Sequence, residues 1–260
     1  MTVTFRAVGT WENGATGLTA DEVLAVPAAQ LTGDMVIVLA AWKDFGITAQ
    51  VSGYTEITEF ADGAVATGNG LGSMKVGAWY KAATSDAEAD PTLDFSTTTG
   101  LVGEGTIIVF QKSLTNWVTP TFVTAAWPAS AGPATVSASS TIDVPSGAAV
   151  IGLFGCRDDS ATITRPTTAI LDSGAAITWN GNYAESPATH ASCTTGNDMS
   201  CDAGYRLVTT GASGVTLQQT ITALTASETG TLLWIVLADS NAVPEDPMPY
   251  VGGGYYPTEG

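Results

Sequence analysis

The chain has 260 residues and a net charge of −17, from 25 acidic against 8 basic residues. Eight scattered Lys and Arg cannot neutralise a phosphate backbone, so nucleic acid is excluded as a partner, and an acidic surface disfavours anionic membranes. Charged residues are only 13% of the chain, while 29 glycines accompany abundant Thr, Ser and Ala, a profile of short strands and turns rather than amphipathic helices. No apolar run approaches the ~18 residues of a membrane-spanning helix. Met1–Val8 alternates like a strand and lacks the basic start and apolar core of a signal peptide, which predicts synthesis in a cytoplasm. Three cysteines are too few for a disulfide scaffold.

In chain order, a strand over Thr2–Val8 leads into a turn-rich stretch, Gly9 to Gly17. Thr19-Ala20-Asp21-Glu22 has the form of a capping box, but Pro27 leaves room for barely two turns, so a short helix competes with a strand ending at Val26. Gly33-Asp34 then opens the apolar run Met35–Trp42, closed by Lys43-Asp44. Its Val and Ile content and flanking glycine predict a strand buried on both faces. Tyr54–Thr58 follows the Ser52-Gly53 turn. In Met74–Ala82, Met74, Val76, Ala78 and Tyr80 alternate with Lys75, Gly77, Trp79 and Lys81, a period of two. Thr92–Phe95 and Thr106–Gln111 complete the first set. Beyond Leu114, Pro120, Pro128 and Pro133 predict edge strands and loops. Further strands are expected over Ala149–Cys156, Met199–Val208, Val215–Thr220 and Thr231–Leu237. Residues 241–260 hold four prolines, three consecutive glycines and three tyrosines, and predict an extended arm.

The key strand recurs. Gly147-Ala148-Ala149-Val150-Ile151-Gly152-Leu153-Phe154-Gly155-Cys156-Arg157-Asp158 repeats the run from Gly33 to Asp44 at a spacing of 114 positions, and each is preceded by a Val-Pro. Trp42 is matched by Cys156, which is expected to be a buried thiol. Tyr80 is answered by Tyr205 and Gly105-Thr106 by Gly230-Thr231, both at 125 positions, so the second copy carries an insertion of 11 residues between Arg157 and Tyr205. A repeat of this length predicts a duplicated domain. The expected fold is all-β, with two tandem antiparallel β-sandwich domains, jelly-roll or Ig-like, at residues 1–113 and 114–240, followed by the arm at 241–260. A carboxylate placed at Ile37 or Ile151 is expected to stop its own domain from folding.

Candidate chemistry is sparse. His190 is the single histidine, and no Gly-x-Ser-x-Gly elbow accompanies it, so no catalytic residue is assigned and no enzyme is expected. Asp86, Glu88 and Asp90 alternate as calcium ligands can, but Pro91 stands where a calcium loop wants glycine; a solvated loop is preferred and no metal or other cofactor is assigned. Gly68–Gly72 lacks the Lys-Ser/Thr of a phosphate loop. Cys193 and Cys201 flank Gly196-Asn197 and would face each other across a hairpin, a candidate disulfide. Trp179, Asn180, Asn182 and Tyr183 place aromatic rings beside amides, as sugar stacking needs, and form a candidate glycan site for a host surface polysaccharide. In the arm, Met248, Tyr250, Val251, Tyr255 and Tyr256 are candidate subunit contacts, docking on a neighbouring copy.

The succession Gly33-Asp34 and its apolar strand, Gly53-Tyr54-Thr55, Ala78-Trp79-Tyr80-Lys81-Ala82-Ala83 and Gly105-Thr106-Ile107-Ile108-Val109-Phe110 resembles a domain of tailed-bacteriophage virion structural and minor tail proteins, often present twice in one chain. The resemblance covers residues 20–112, and 140–238 more loosely, since Ala148 replaces Asp34 and Gly-Tyr-Thr has no clear counterpart. It implies a non-enzymatic structural protein on the outside of the virion, either tail- or fibre-associated or a capsid decoration. Its implied partners are other virion proteins and further copies of itself. Its motifs are turns and buried strands and carry no catalytic residue across.

Overall fold

The computed structural model describes residues 2–13, 21–44, 46–61, 73–96, 102–130, 134–157, 169–185, 191–193, 199–221 and 228–240. The apolar run is a strand: β4 spans Met35–Asp44, and Met35 to Lys43 are all buried. Alternate side chains serve two different cores, which is why the run is apolar throughout. Around it the first half places β1 (Thr4–Val8), β2 (Glu12–Asn13), β3 (Glu22–Val23), β5 (Ala49–Val51), β6 (Thr55–Ala61), β7 (Ser73–Ala82), β8 (Thr92–Phe95) and β9 (Gly103–Gln111). The second half adds β10 (Asn116–Trp117), β11 (Thr121–Ser130), β12 (Ala134–Ser137), β13 (Ile142–Val144), β14 (Ala149–Arg157), β15 (Ala169–Asp172), β16 (Thr178–Glu185), β17 (Ala191–Cys193), β18 (Met199–Thr210), β19 (Ala212–Val215), β20 (Leu217–Ile221), β21 (Glu228–Leu237) and β22 (Asp239–Ser240).

All pairings are antiparallel. The larger sheet of the first half runs β1-β9-β4-β7-β6 and the smaller β3-β8-β5; the second half repeats both orders as β11-β21-β14-β18-β16 and β12-β20-β15. Counting the eight principal strands of each half, the orders are 1-8-3-6-5 and 2-7-4. This is the jelly-roll winding, in which first pairs eighth, second seventh and third sixth, with the fifth strand carried on the edge beside the sixth rather than the fourth. Ladder partners agree as well: Ile37 lies between Tyr80 and Ile108, and Ile151 between Tyr205 and Ile235. One sequence landmark is two residues out of register. Gly230 faces Cys156, the position that Gly103, not Gly105, takes opposite Trp42.

Three cores follow. Val36, Val38, Ala40 and Trp42 of β4 pack with Leu93, Phe95, Ile107 and Val109 inside the first sandwich. Val150, Phe154 and Cys156 of β14 pack with Ile170, Leu217, Leu232 and Trp234 inside the second. The opposite faces of the two large sheets meet in a third core, where Met35, Ile37, Leu39, Met74 and Ile108 pack against Ile151, Leu153, Met199, Leu233 and Ile235. The halves therefore form a four-layer stack, small sheet, large sheet, large sheet, small sheet. This corrects the expectation that Ile37 and Ile151 each serve a separate domain, because both face the shared core. Gly155 permits the close approach: a Cβ there would lie 3.2 Å from Ala41 Cβ and Met74 Cε. Two hydrogen bonds cross between the halves to the turn glycines, Val3 N–H to Gly147 O and the Trp117 indole N–H to Gly33 O, both 2.8 Å.

No helix occurs among the described residues; the capping-box stretch ends in β3 at Glu22–Val23. The proline-punctuated region does form an edge strand, β11, with an irregular register between Trp127 and Ser130 around Pro128. The expected strand Val215–Thr220 is two strands, β19 and β20, in different sheets. Much of the inserted length falls between β14 and β15, where residues 158–168 stand against 45–48 in the first half.

Candidate functional site

The candidate glycan cluster lies on β16, an edge strand distorted where its register slips between Asn180 and Ala184. Gly181 sits at φ +85°, so the chain bulges, and Asn180, Gly181 and Asn182 are exposed at the bulge. The two aromatics do not form an open platform. Trp179 packs against the second sandwich core, and the Arg206 guanidinium lies 4.6 Å from its ring centroid. Arg206 is itself anchored on Ile170 O and Gly181 O, and its partial burial lowers its pKa. Tyr183 turns inward over Gly204, a position where a Cβ would collide with its hydroxyl. The amides and the rings are thus separated: the amides face solvent and the rings close the core. Arg206 was not legible as a partner, since only the β16–β18 register brings it beneath Trp179.

The acidic triplet is likewise divided among separate partners. Asp86 accepts from the Thr32 N–H and hydroxyl, both 2.7 Å. Glu88 binds the Lys81 ammonium and the Thr84 N–H, and these hold its carboxyl down to about 2. Asp90 accepts from Val26 N–H at 2.8 Å. Asp86 thus ties the loop before β8 to the turn that launches β4, Asp90 ties it to the segment after β3, and Glu88 binds β7 and its own loop, so the three do not converge on a common point. Among the described residues, no group of three His, Cys, Asp or Glu could hold a metal ion. His190 and all the arm candidates, Met248, Tyr250, Val251, Tyr255 and Tyr256, lie outside the described residues.

The expected hairpin around Gly196-Asn197 pairs β17 with β18, but the proposed disulfide is not formed. The register sets Cys193 opposite Met199 and Cys201 opposite Ala191. Cys201 is a buried thiol facing the shared core, with Sγ 3.1 Å from Glu104 Oε2 across the two halves. Cys156 is buried as expected and lies 2.8 Å from the Ser200 hydroxyl.

Two surface concavities had no sequence signal, because each gathers residues from distant strands. A cleft on the first half is lined by Thr48, Gln50, Glu56, Glu59, Asp94 and Ser96. Burial raises the Glu59 pKa against the opposing pull of Ala49 N–H and Lys75, and both its oxygens are engaged by those partners. On the second half a groove of about 420 Å³ has an apolar floor of Val118, Ile142, Pro145, Val236 and Ala238 under a rim of threonines and Asp143. It lies near the point where residues 241–260 begin, because β22, which follows Ala238, ends at Ser240. No protein-family model matches the chain, and neither a curated protein nor a solved structure is similar enough to it to count as a match.

Proposed function

We propose that this chain is a non-enzymatic structural protein on the outside of a bacteriophage virion, tail- or fibre-associated or a capsid decoration, assembling through its sandwich faces and its C-terminal arm. The observation that carries this reading is the four-layer stack. Two halves of identical strand order share one continuous apolar core, which makes a single packed block. We read the two halves as copies of one unit, fused in tandem and packed face on face. The motif resemblance over residues 20–112 supplies the virion setting. The titratable groups also support a scaffold: Asp34, Asp86, Glu88, Asp90 and Asp239 each secure a turn or a chain junction.

Immunogold labelling of purified particles tests the proposal, with antibody raised against the folded protein. Label on the particle exterior is expected. Particles that carry none, while the protein stays in the soluble lysate, would overturn it. The alternative, a glycan-binding host-attachment module, retains the exposed Asn180 and Asn182 but lacks open stacking faces at Trp179 and Tyr183.

A further inference from the structure

We propose that the groove floored by Val118, Ile142, Pro145, Val236 and Ala238 receives the Met248–Val251 segment of the arm of a second copy of this chain. The inference rests on the assembly role proposed above and names the surface that would serve it.

Three observations carry it. The first is the groove itself: Val118 is 40% exposed although it lies beside the buried Val236 and Ala238, and the space of about 420 Å³ has room for large side chains. A threonine rim and Asp143 could accept or donate to a tyrosine hydroxyl.

The second is the direction in which the arm leaves. β22 pairs antiparallel with β10, Asn116 opposite Ser240 and Trp117 opposite Asp239, and the Val118 N–H bonds to Ala238 O at 2.9 Å. From Ala238 to Ser240 the chain therefore runs from Val118 towards Asn116, away from the groove behind it. This exit is fixed: one Asp239 oxygen accepts from the N–H groups of Ser113 and Leu114, both at 2.8 Å. To fill its own groove the arm would have to double back within the stretch from Asn241 to Pro247. Pro244 and Pro247 each lock φ and stiffen that stretch, which restricts the paths by which it could do so.

The third is length and composition. Met248 is eight residues past Ser240, an extended reach of roughly 26 Å, enough to cross to a neighbour. Met248-Pro249-Tyr250-Val251, beyond Ala242-Val243 and the acidic Glu245-Asp246, is the first stretch on that path to carry an aromatic side chain. An arm that leaves one copy and seats in the next is a heterologous contact, which closes into a ring or, if the two arms are exchanged, into a dimer.

The test uses full-length chains and sedimentation velocity. Val118→Glu blocks the groove from an exposed position, and Tyr250→Ser disarms the segment; each should weaken self-association by about tenfold or more with an unchanged melting temperature. An equimolar mixture of the two variants should recover association as mixed pairs that neither variant forms alone, because each mixed pair retains one intact arm and one intact groove. The inference is overturned if the wild-type chain is monomeric, if either variant associates as the wild type does, or if the mixture fails to recover. A photo-crosslinker at position 250 that captures Val118 within one chain rather than between chains also overturns it. These outcomes are separable from the virion reading. Arm exchange in a protein absent from particles would refute only that reading, and a monomer found on particles only this inference.

Discussion

Replacing Ile37 with alanine should destabilise both halves together. Ile37 is fully buried on the face of β4 that meets the second large sheet, and Ile151 lies in the same core. Truncating a buried isoleucine to alanine removes apolar contacts and leaves a cavity, a cost of about 2–5 kcal/mol. Against a usual total stability of about 5–15 kcal/mol, that is a large fraction. If the shared core makes the stack one cooperative unit, every amide that exchanges through global opening should lose protection by the same factor, roughly 30-fold to a few thousand-fold. Hydrogen exchange read by mass spectrometry on peptides from β4 and β9, and separately from β14 and β21, measures both halves in one experiment. Ile151→Ala should give the same pattern. Unchanged protection of β14 and β21 in the Ile37→Ala protein would show that the halves open independently and that the third core couples nothing.

Asp239→Ala should cost about 1–3 kcal/mol, because the N–H groups of Ser113 and Leu114 lose their acceptor at the junction between halves; Asp239→Asn keeps an oxygen and should cost less in the same urea titration. Glu88 has a folded pKa of about 2, below its unfolded value, so its contribution to stability is complete above the ordinary carboxylate range and is lost as pH falls through that range towards 2. Melting temperature against pH should therefore fall less steeply on the acid side in Glu88→Gln than in the wild type, and parallel curves would refute a stabilising role for this carboxylate. Trp179→Ala should lower the melting temperature, since the ring covers the second core and stacks with Arg206; retention of the wild type on host polysaccharide, lost in this variant at unchanged stability, would instead favour the glycan reading. Removing residues 241–260 should leave the melting temperature of the isolated chain unchanged and reduce incorporation into oligomers or particles; a truncated chain that assembles normally would refute the arm's role.

The strands that carry the fold were legible because they are buried on both faces. Within them, Met35–Trp42 and Ala149–Cys156 carry an apolar residue or glycine at every position, and an uninterrupted apolar run is the signal such strands give. The layering was not legible for the same reason: alternate residues of one run belong to different cores, and nothing in the run says which face meets the other half. The disulfide expectation failed on register. Cys193 and Cys201 flank a plausible tip, but pairing is set by the whole β17–β18 ladder, which is two residues away from joining them. Trp179 and Tyr183 misled for a related reason, since an aromatic on an edge strand has the same sequence whether it faces a ligand or the core. The groove left no trace at all, being assembled from three separate stretches of chain, 118–121, 141–145 and 236–238.

The outer cores of the two halves explain why their sequence match is weak although their strand order is the same. In the first sandwich Trp42 and Trp79 close over Gly77, whose Cβ, if present, would lie 2.6 Å from one ring and 2.9 Å from the other. At the matching ladder positions the second sandwich has Cys156, Gly204 and Asp202, which removes both indoles. The lost bulk returns elsewhere on the same face. Phe154 stands where Ala40 does and Trp234 where Ile107 does, while Tyr183 reaches across the bare backbone of Gly204. A core constrains total volume and polarity more than the identity of any one side chain. On the proposed tandem fusion, each outer core can therefore repack alone, whereas the face between the halves must keep fitting its partner. That face retains its pattern: Ile37 matches Ile151, Leu39 matches Leu153, Tyr80 matches Tyr205 and Ile108 matches Ile235. On this reasoning, substitutions that enlarge the shared face, such as Gly155→Val between Ala41, Met74 and Val76, should be far less tolerated than volume-preserving exchanges in either outer core. Paired libraries at the two kinds of position, sorted for folded protein, would reverse the argument if the outer cores proved the stricter.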